Sequence, residues 1–241
     1  LGVYMDAEEE EANSLLVRKA LNYGFDKKKM ILYLRNGIGT PALNGFIPKG
    51  LPSFNAMKGY TYQPQKAKQL IDAYKLKSGN QNPKITISTN SQYLDLCEFI
   101  QREMQKAGLE VAVDVMPPST LREQKANGQL SIFRGSWVAD YPDAENYLFI
   151  YHSKNFSPNG PNYTHYSNDT FDALYEKAVA TIDTQKRHRL YQKMDSLMME
   201  SAPVIPLYYD EAVRFINKNI SGLGINPINH LHLKRVQKSK Q

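Results

Sequence analysis

The order of elements between residues 84 and 137 constrains the fold more than anything else in the chain. Lys84 to Thr89 alternates around Ile85 and Ile87, which predicts a strand. Residues 92–107 carry Leu96, Cys97, Ile100 and Met104 at helical spacing, and Gly108 stands where a helix C-terminal glycine belongs. Leu109, Val111, Val113 and Val115 then alternate in a second strand. Ser119 or Thr120 predicts the cap of a short helix ending near Gly128, and Leu130 to Trp137 predicts a third strand. Strands separated by helices cross over and lie parallel. The expected fold is therefore α/β, with a mixed, mostly parallel sheet flanked by helices.

The flanks extend this pattern. A helix is expected after Asn13 or Ser14, with Leu15, Leu16, Ala20, Leu21 and Phe25 on its apolar side and Lys27 to Lys29 near its end. Thr40 to Gly59 is long, irregular and rich in proline, a kind of loop that wraps a surface or lines a site. Pro64 starts a helix bearing Ala67, Leu70, Ile71 and Tyr74. Beyond an aromatic loop from Trp137 to Tyr166, two helices follow, the second capped by Asp183 or Thr184. Val204 to Tyr209 predicts the last strand, and nothing from Ala212 onward has a core-forming pattern.

Composition removes several functions. The net charge is +6, from 30 basic and 24 acidic residues, yet the basic residues are scattered and not interleaved with aromatics, which argues against nucleic acid as a partner. The single cysteine, Cys97, excludes an internal disulfide and fits a buried, inert thiol. No apolar run approaches the length of a membrane span. The opening Leu-Gly-Val-Tyr-Met, followed by acidic residues from Asp6 to Glu11, predicts a sequence that starts within a longer gene product, its export signal upstream. No metal or other cofactor is expected: His152 and His165 lack carboxylates at ligand spacing, His188 sits between arginines, and His230 and His232 suit a solvated tail. No nucleophile elbow surrounds Ser136, and no zinc-protease, phosphate-loop or dinucleotide motif is present, so an enzyme is not expected. Asp140 and Asp143 could form the carboxylate pair of a hydrolase, without further support elsewhere.

Five segments run in order along the chain. Val17-Arg18-Lys19-Ala20-Leu21 leads to Phe25-Asp26-Lys27, and Gly39-Thr40-Pro41-Ala42 precedes Ile47-Pro48. Tyr62, Pro64, Ala67 and Leu70 mark a helix start; Trp137-Val-Ala-Asp140-Tyr141-Pro142-Asp143 and Pro203-Val-Ile-Pro206-Leu-Tyr208-Tyr209 come later. Together they resemble the peptide/nickel-binding family of ABC solute-binding proteins, which includes dipeptide- and oligopeptide-binding proteins. The resemblance implies the C-terminal lobe of a type II periplasmic-binding-protein clamshell. Residues 1–211 would form the lobe, and 212–241 a tail returning to the other, N-terminal lobe. It also implies a monomeric, extracytoplasmic protein, periplasmic or lipid-anchored to the envelope, that hands peptides to an ABC permease in the inner membrane. Some relatives of this type carry oligosaccharides or other solutes instead.

The same resemblance assigns roles. Asp140, three residues after Trp137, would meet the ligand ammonium, since a buried ammonium is costly unless a carboxylate faces it. Asp143, beside Pro142, is the better candidate for a loop cap. Trp137 would form a wall for the ligand, and Arg134 would meet its carboxylate, although residues 134 and 137 on one strand point to opposite faces unless the chain bends. Tyr141 completes that motif. Of Tyr208 and Tyr209, one is expected to face the cleft and the other the core.

Overall fold

The computed structural model describes residues 1–6, 14–57, 59–224 and 230–239. Its centre is a five-stranded mixed sheet. The strands are β1 (Gly2–Met5), β2 (Lys84–Thr89), β3 (Glu110–Val115), β4 (Ile132–Gly135) and β5 (Val204–Pro206), in the order β3-β2-β4-β1-β5. β2 runs parallel to β3 and β4, whereas β1 is antiparallel to both of its neighbours, with Val3 opposite Arg134 on one side and Ile205 on the other. The sheet is thus mostly parallel, with one reversed strand inserted near its edge.

Helices cover both faces. They are α1 (Leu15–Tyr23), α2 (Lys27–Leu34), α3 (Pro64–Ser78), α4 (Leu94–Lys106), α5 (Pro118–Ala126), α6 (Glu145–Leu148), α7 (Asp169–Val179) and α8 (Thr184–Ser201). Successive side chains of a strand point to opposite faces, and β1 shows this directly. Val3 and Met5 pack into one core with Ile87, Leu96, Ile100 and Ile132. Tyr4 packs into a second core with Phe133, Leu148, Phe171, Met194 and Met198. All four β1 residues are buried, so the strand has no polar alternation and reads as an unremarkable apolar tetrapeptide in the sequence.

Local chemistry moves several boundaries. The helix expected from Ser14 through Lys29 is two helices, divided at Gly24–Asp26, because the Asp26 side chain accepts from the Lys28 and Lys29 amides at 2.9 and 3.2 Å and starts α2 there. The lysine run therefore opens a helix. Ser14 occupies the cap position of α1 but makes no side-chain capping bond, and Asn13 lies outside the described residues. Ser119 and Thr120 lie inside α5, which Pro118 begins. The strand expected up to Trp137 ends at Gly135. The final strand is split: Val204–Pro206 joins the sheet, while Tyr208–Tyr209 pairs with Thr40–Pro41 in a separate ribbon. The chain enters and leaves this body at neighbouring points, since the Leu1 amino group donates to the Tyr208 carbonyl and the Leu207 amide to the Leu1 carbonyl, both at 2.8 Å.

Lys27 is buried, and its ammonium donates to the Ala42 carbonyl at 3.0 Å. Burial pushes its pKa down to about 7. Between that value and the ordinary lysine value near 10.4, the unfolded chain holds the extra proton, so stability rises with pH across that window and the full penalty stands below it. Lys27→Met is expected to raise stability at pH 6 by a few kcal/mol and to flatten the alkaline rise, as measured by urea unfolding at pH 6 and pH 9.

Candidate functional site

In open α/β sheets, ligands bind outside the carboxyl ends of the parallel strands, where crossovers leave room. A cavity of about 290 Å³ opens at that end of this sheet. Three stretches of chain wall it. Ser136 to Ala139 leave the end of β4, Tyr208 to Ala212 leave the end of β5, and Phe46, Pro48 and Lys49 come from the long proline-rich loop. Tyr4 of β1 and Tyr147 of α6 complete the apolar side.

Trp137 lines the cavity. Its indole Nε1 donates to Asn146 Oδ1 at 3.0 Å, and its ring meets Phe149 edge-on at 5.5 Å. Tyr208 and Tyr209 both line the cavity and both are buried. Tyr208 also packs in the first core with its hydroxyl beside the Arg35 guanidinium, while the Tyr209 hydroxyl donates to the Gly45 carbonyl at 2.7 Å.

Arg134 takes the other side of the sheet, as strand alternation requires. Its guanidinium carbon stacks 3.1 Å from the centre of the Tyr93 ring. The side chain is buried, and Nε and Nη2 have no hydrogen-bond partner among the described residues. Asp140 and Tyr141 are exposed and stand outside the cavity lining; Asp140 directly follows Ala139, the last lining residue of that loop. The Tyr141 hydroxyl donates to the Glu145 carboxylate, which also receives the Tyr175 hydroxyl. Partial burial and that carboxylate push the Tyr141 phenol up to about 12. Asp143 is the loop cap: its Oδ1 accepts from the Glu145 amide at 3.0 Å, and its Oδ2 lies 3.5 Å from Arg187. The structure thus gathers Trp137, Tyr208 and Tyr209 in one cavity and leaves Arg134, Asp140 and Tyr141 outside its lining, Arg134 on the opposite face of the sheet.

Sequence reasoning passed over Asp195. It is fully buried on α8, and its two oxygens accept from the Phe46 and Ile47 amides at 2.8 and 3.4 Å. Burial raises its pKa to about 6, with the two amide bonds opposing. A Cβ on Gly45 would fall 1.9 Å from Asp195 Oδ2, so glycine is required there for the loop to approach. The signal was faint but present: Asp195 sits four residues after Tyr191 and three before Met198, on the buried stripe of α8. Among the described residues, no group of three His, Cys, Asp or Glu side chains could hold a metal, and no helix is long and apolar enough to cross a membrane.

A doubly covered, mostly parallel sheet with an aromatic cavity at its carboxyl edge defines a type II periplasmic-binding-protein lobe. Residues 3–159 match the family of bacterial extracellular solute-binding proteins, family 5 (its middle part), and the chain belongs to that family. It is 25% identical over 236 residues to the dipeptide-binding protein of Escherichia coli K12, covering 96% of this chain and 44% of that protein. It is also 25% identical over 231 residues to the glutathione-binding protein GsiB of the same strain, covering 93% and 45%. The periplasmic binding protein DppA of Helicobacter pylori, solved with the peptide STSA, superposes with a TM-score of 0.86 at 25% identity, covering 99% of this chain and 47% of that one. The chain spans less than half the length of these relatives.

Asp195→Ala leaves two buried amides without acceptors and is expected to cost about 2–4 kcal/mol in urea unfolding at pH 7. In the native protein the folded state holds the extra proton between the ordinary aspartate pKa and about 6, so stability falls as pH rises through that window. Asp195→Asn should lack this component, which unfolding of both proteins at pH 4.5 and 7 measures.

Proposed function

We propose that this chain is the C-terminal lobe of a solute-binding protein that captures short peptides in a cleft completed by a second lobe and delivers them to an ABC permease. The observation that carries the reading is Arg134. A buried guanidinium with two nitrogens unpartnered among the described residues costs several kcal/mol unless an anion meets it, and a ligand carboxylate admitted past the carboxyl edge of the sheet is the anion this reading supplies. Asp140, exposed next to the cavity lining, is the candidate partner for a ligand ammonium. A peptide with free termini supplies both charges. Trp137, Tyr208 and Tyr209, which line the cavity, would supply the aromatic wall for such a ligand, and Tyr141 follows Asp140 in the same exposed loop.

Membership of an extracellular family supports export to the periplasm or cell envelope, with or without a lipid anchor. The coverage of the relatives supports a second lobe of similar size. The tail after residue 211 is the segment proposed to reach it: Phe215 is 96% exposed, and Val213, Ile216, Leu231 and Leu233 also expose more than half of their surface, apolar area that a partner lobe would cover.

Calorimetric titration of the complete protein with a peptide and its N-acetylated and C-amidated forms tests the assignment. Acetylation should weaken binding ~10-fold or more in the native protein and hardly at all in Asp140→Asn; amidation should do the same in the native protein and hardly at all in Arg134→Met. Equal affinity for all three forms would remove both roles. The 241-residue chain alone should bind any of them far more weakly than the complete protein, because one wall of the cleft is missing.

A further inference from the structure

Tyr93 meets two guanidiniums. It follows the end of β2, in a turn fixed by Asn90, whose side chain accepts from the Gln92 amide and whose carbonyl accepts from the Tyr93 amide, both at 3.1 Å. The Arg134 guanidinium carbon lies 3.1 Å from the centre of the Tyr93 ring, and that of Arg35 lies 5.6 Å from it. The two arginines are matched very differently. Arg35 donates Nη1 and Nη2 to the two oxygens of Asp95 at 2.9 and 3.2 Å, and Asp95 Oδ1 also accepts from the Leu96 amide at 2.8 Å. Both oxygens of that carboxylate are therefore engaged away from Arg134. Arg134 is buried, and its Nε and Nη2 have no hydrogen-bond partner among the described residues. A guanidinium carries its five N–H groups in one plane. Stacking on a ring face holds that plane in place and leaves the in-plane donors open, whereas a carboxylate neighbour would occupy them. Arg35 also stands beside the hydroxyl of Tyr208, so the group that supports the Tyr93 ring is continuous with the cavity wall.

We propose that Tyr93 is a positioning residue for anion recognition: its ring, steadied by the Arg35–Asp95 pair, orients the Arg134 guanidinium so that Nε and Nη2 stay available to the carboxylate of a bound peptide. The proposal rests on the peptide-binding reading, in which Arg134 meets that carboxylate, and adds the group that orients it. Tyr93 acts through Arg134 and needs no contact with the ligand. Arg35 cannot take the place of Arg134, because Asp95 already closes its fork.

The complete protein is titrated by calorimetry with Ala-Ala-Ala and with its C-amidated form, and the ratio of the two affinities is the readout. A merely structural loss weakens both peptides alike and leaves the ratio unmoved. The native protein should favour the free carboxylate ~10-fold or more, and Arg134→Met should abolish the preference. Tyr93→Leu, which removes the ring, should bring the ratio to about 2-fold or less, while Tyr93→Phe, which keeps the ring, should retain the native ratio. Arg35→Met should lower the ratio about 3-fold by loosening the ring. A native ratio in Tyr93→Leu, or a lost one in Tyr93→Phe, overturns the positioning role and leaves that of Arg134 standing. If Tyr93→Leu does not fold, a native ratio in Arg35→Met overturns it instead. If the native protein shows no preference, or Arg134→Met keeps it, the Arg134 reading fails and the positioning role with it.

Discussion

Four residues at the start of the chain, Gly2–Met5, hold the sheet in one piece. β1 is hydrogen-bonded to β4 on one side and to β5 on the other, and it sends Val3 and Met5 into one core and Tyr4 into the second. Without it, β5 would have no partner in the sheet, and the segments that leave β4 and β5 would not converge. The cavity follows from that convergence: the Ser136–Ala139 stretch and the Tyr208–Ala212 stretch are neighbours because one reversed strand lies between their parent strands. Burial on both faces stabilises such a strand by roughly 1.5–3 kcal/mol for each large apolar side chain removed from water.

Three buried ionisable groups show how differently the fold treats charge. Asp195 is matched by two backbone amides and fixes the loop that carries Phe46. Lys27 has a single carbonyl and is pushed toward its neutral form. Arg134 cannot deprotonate in the ordinary pH range, so with two nitrogens unmatched among the described residues it remains a permanent cation lying on a tyrosine ring. The first is matched by hydrogen bonds, the second is relieved by titration, and the third rests on an aromatic face.

The parallel units were legible because each strand carried a period of two and each helix a period of 3.6. Ile85 and Ile87 against Leu96 and Ile100 fixed that part, and the type II lobe followed from the five ordered motifs. β1 was not legible, since four consecutively buried residues lack a period. The break between α1 and α2 was hidden by an apolar pattern that continues to Phe25, although Asp26 supplied a cap signal. Of the residues that line the cavity, Trp137, Tyr208 and Tyr209 were singled out from the motifs that resemble the solute-binding family. Phe46, Tyr4, Tyr147 and Asp195 were missed because a sequence does not say which turn of a long loop folds inward, nor which carboxylate meets it.

The adjacency of Leu1 and Tyr208 gives the lobe another property. A folded unit in which residues so far apart in sequence touch closes on itself, so the cavity edge is held by contacts between the first and the last strand of the sheet. The seam also coincides with the cavity, since Leu1 and Tyr208 both line it, so the two hydrogen bonds that join the ends also frame the pocket.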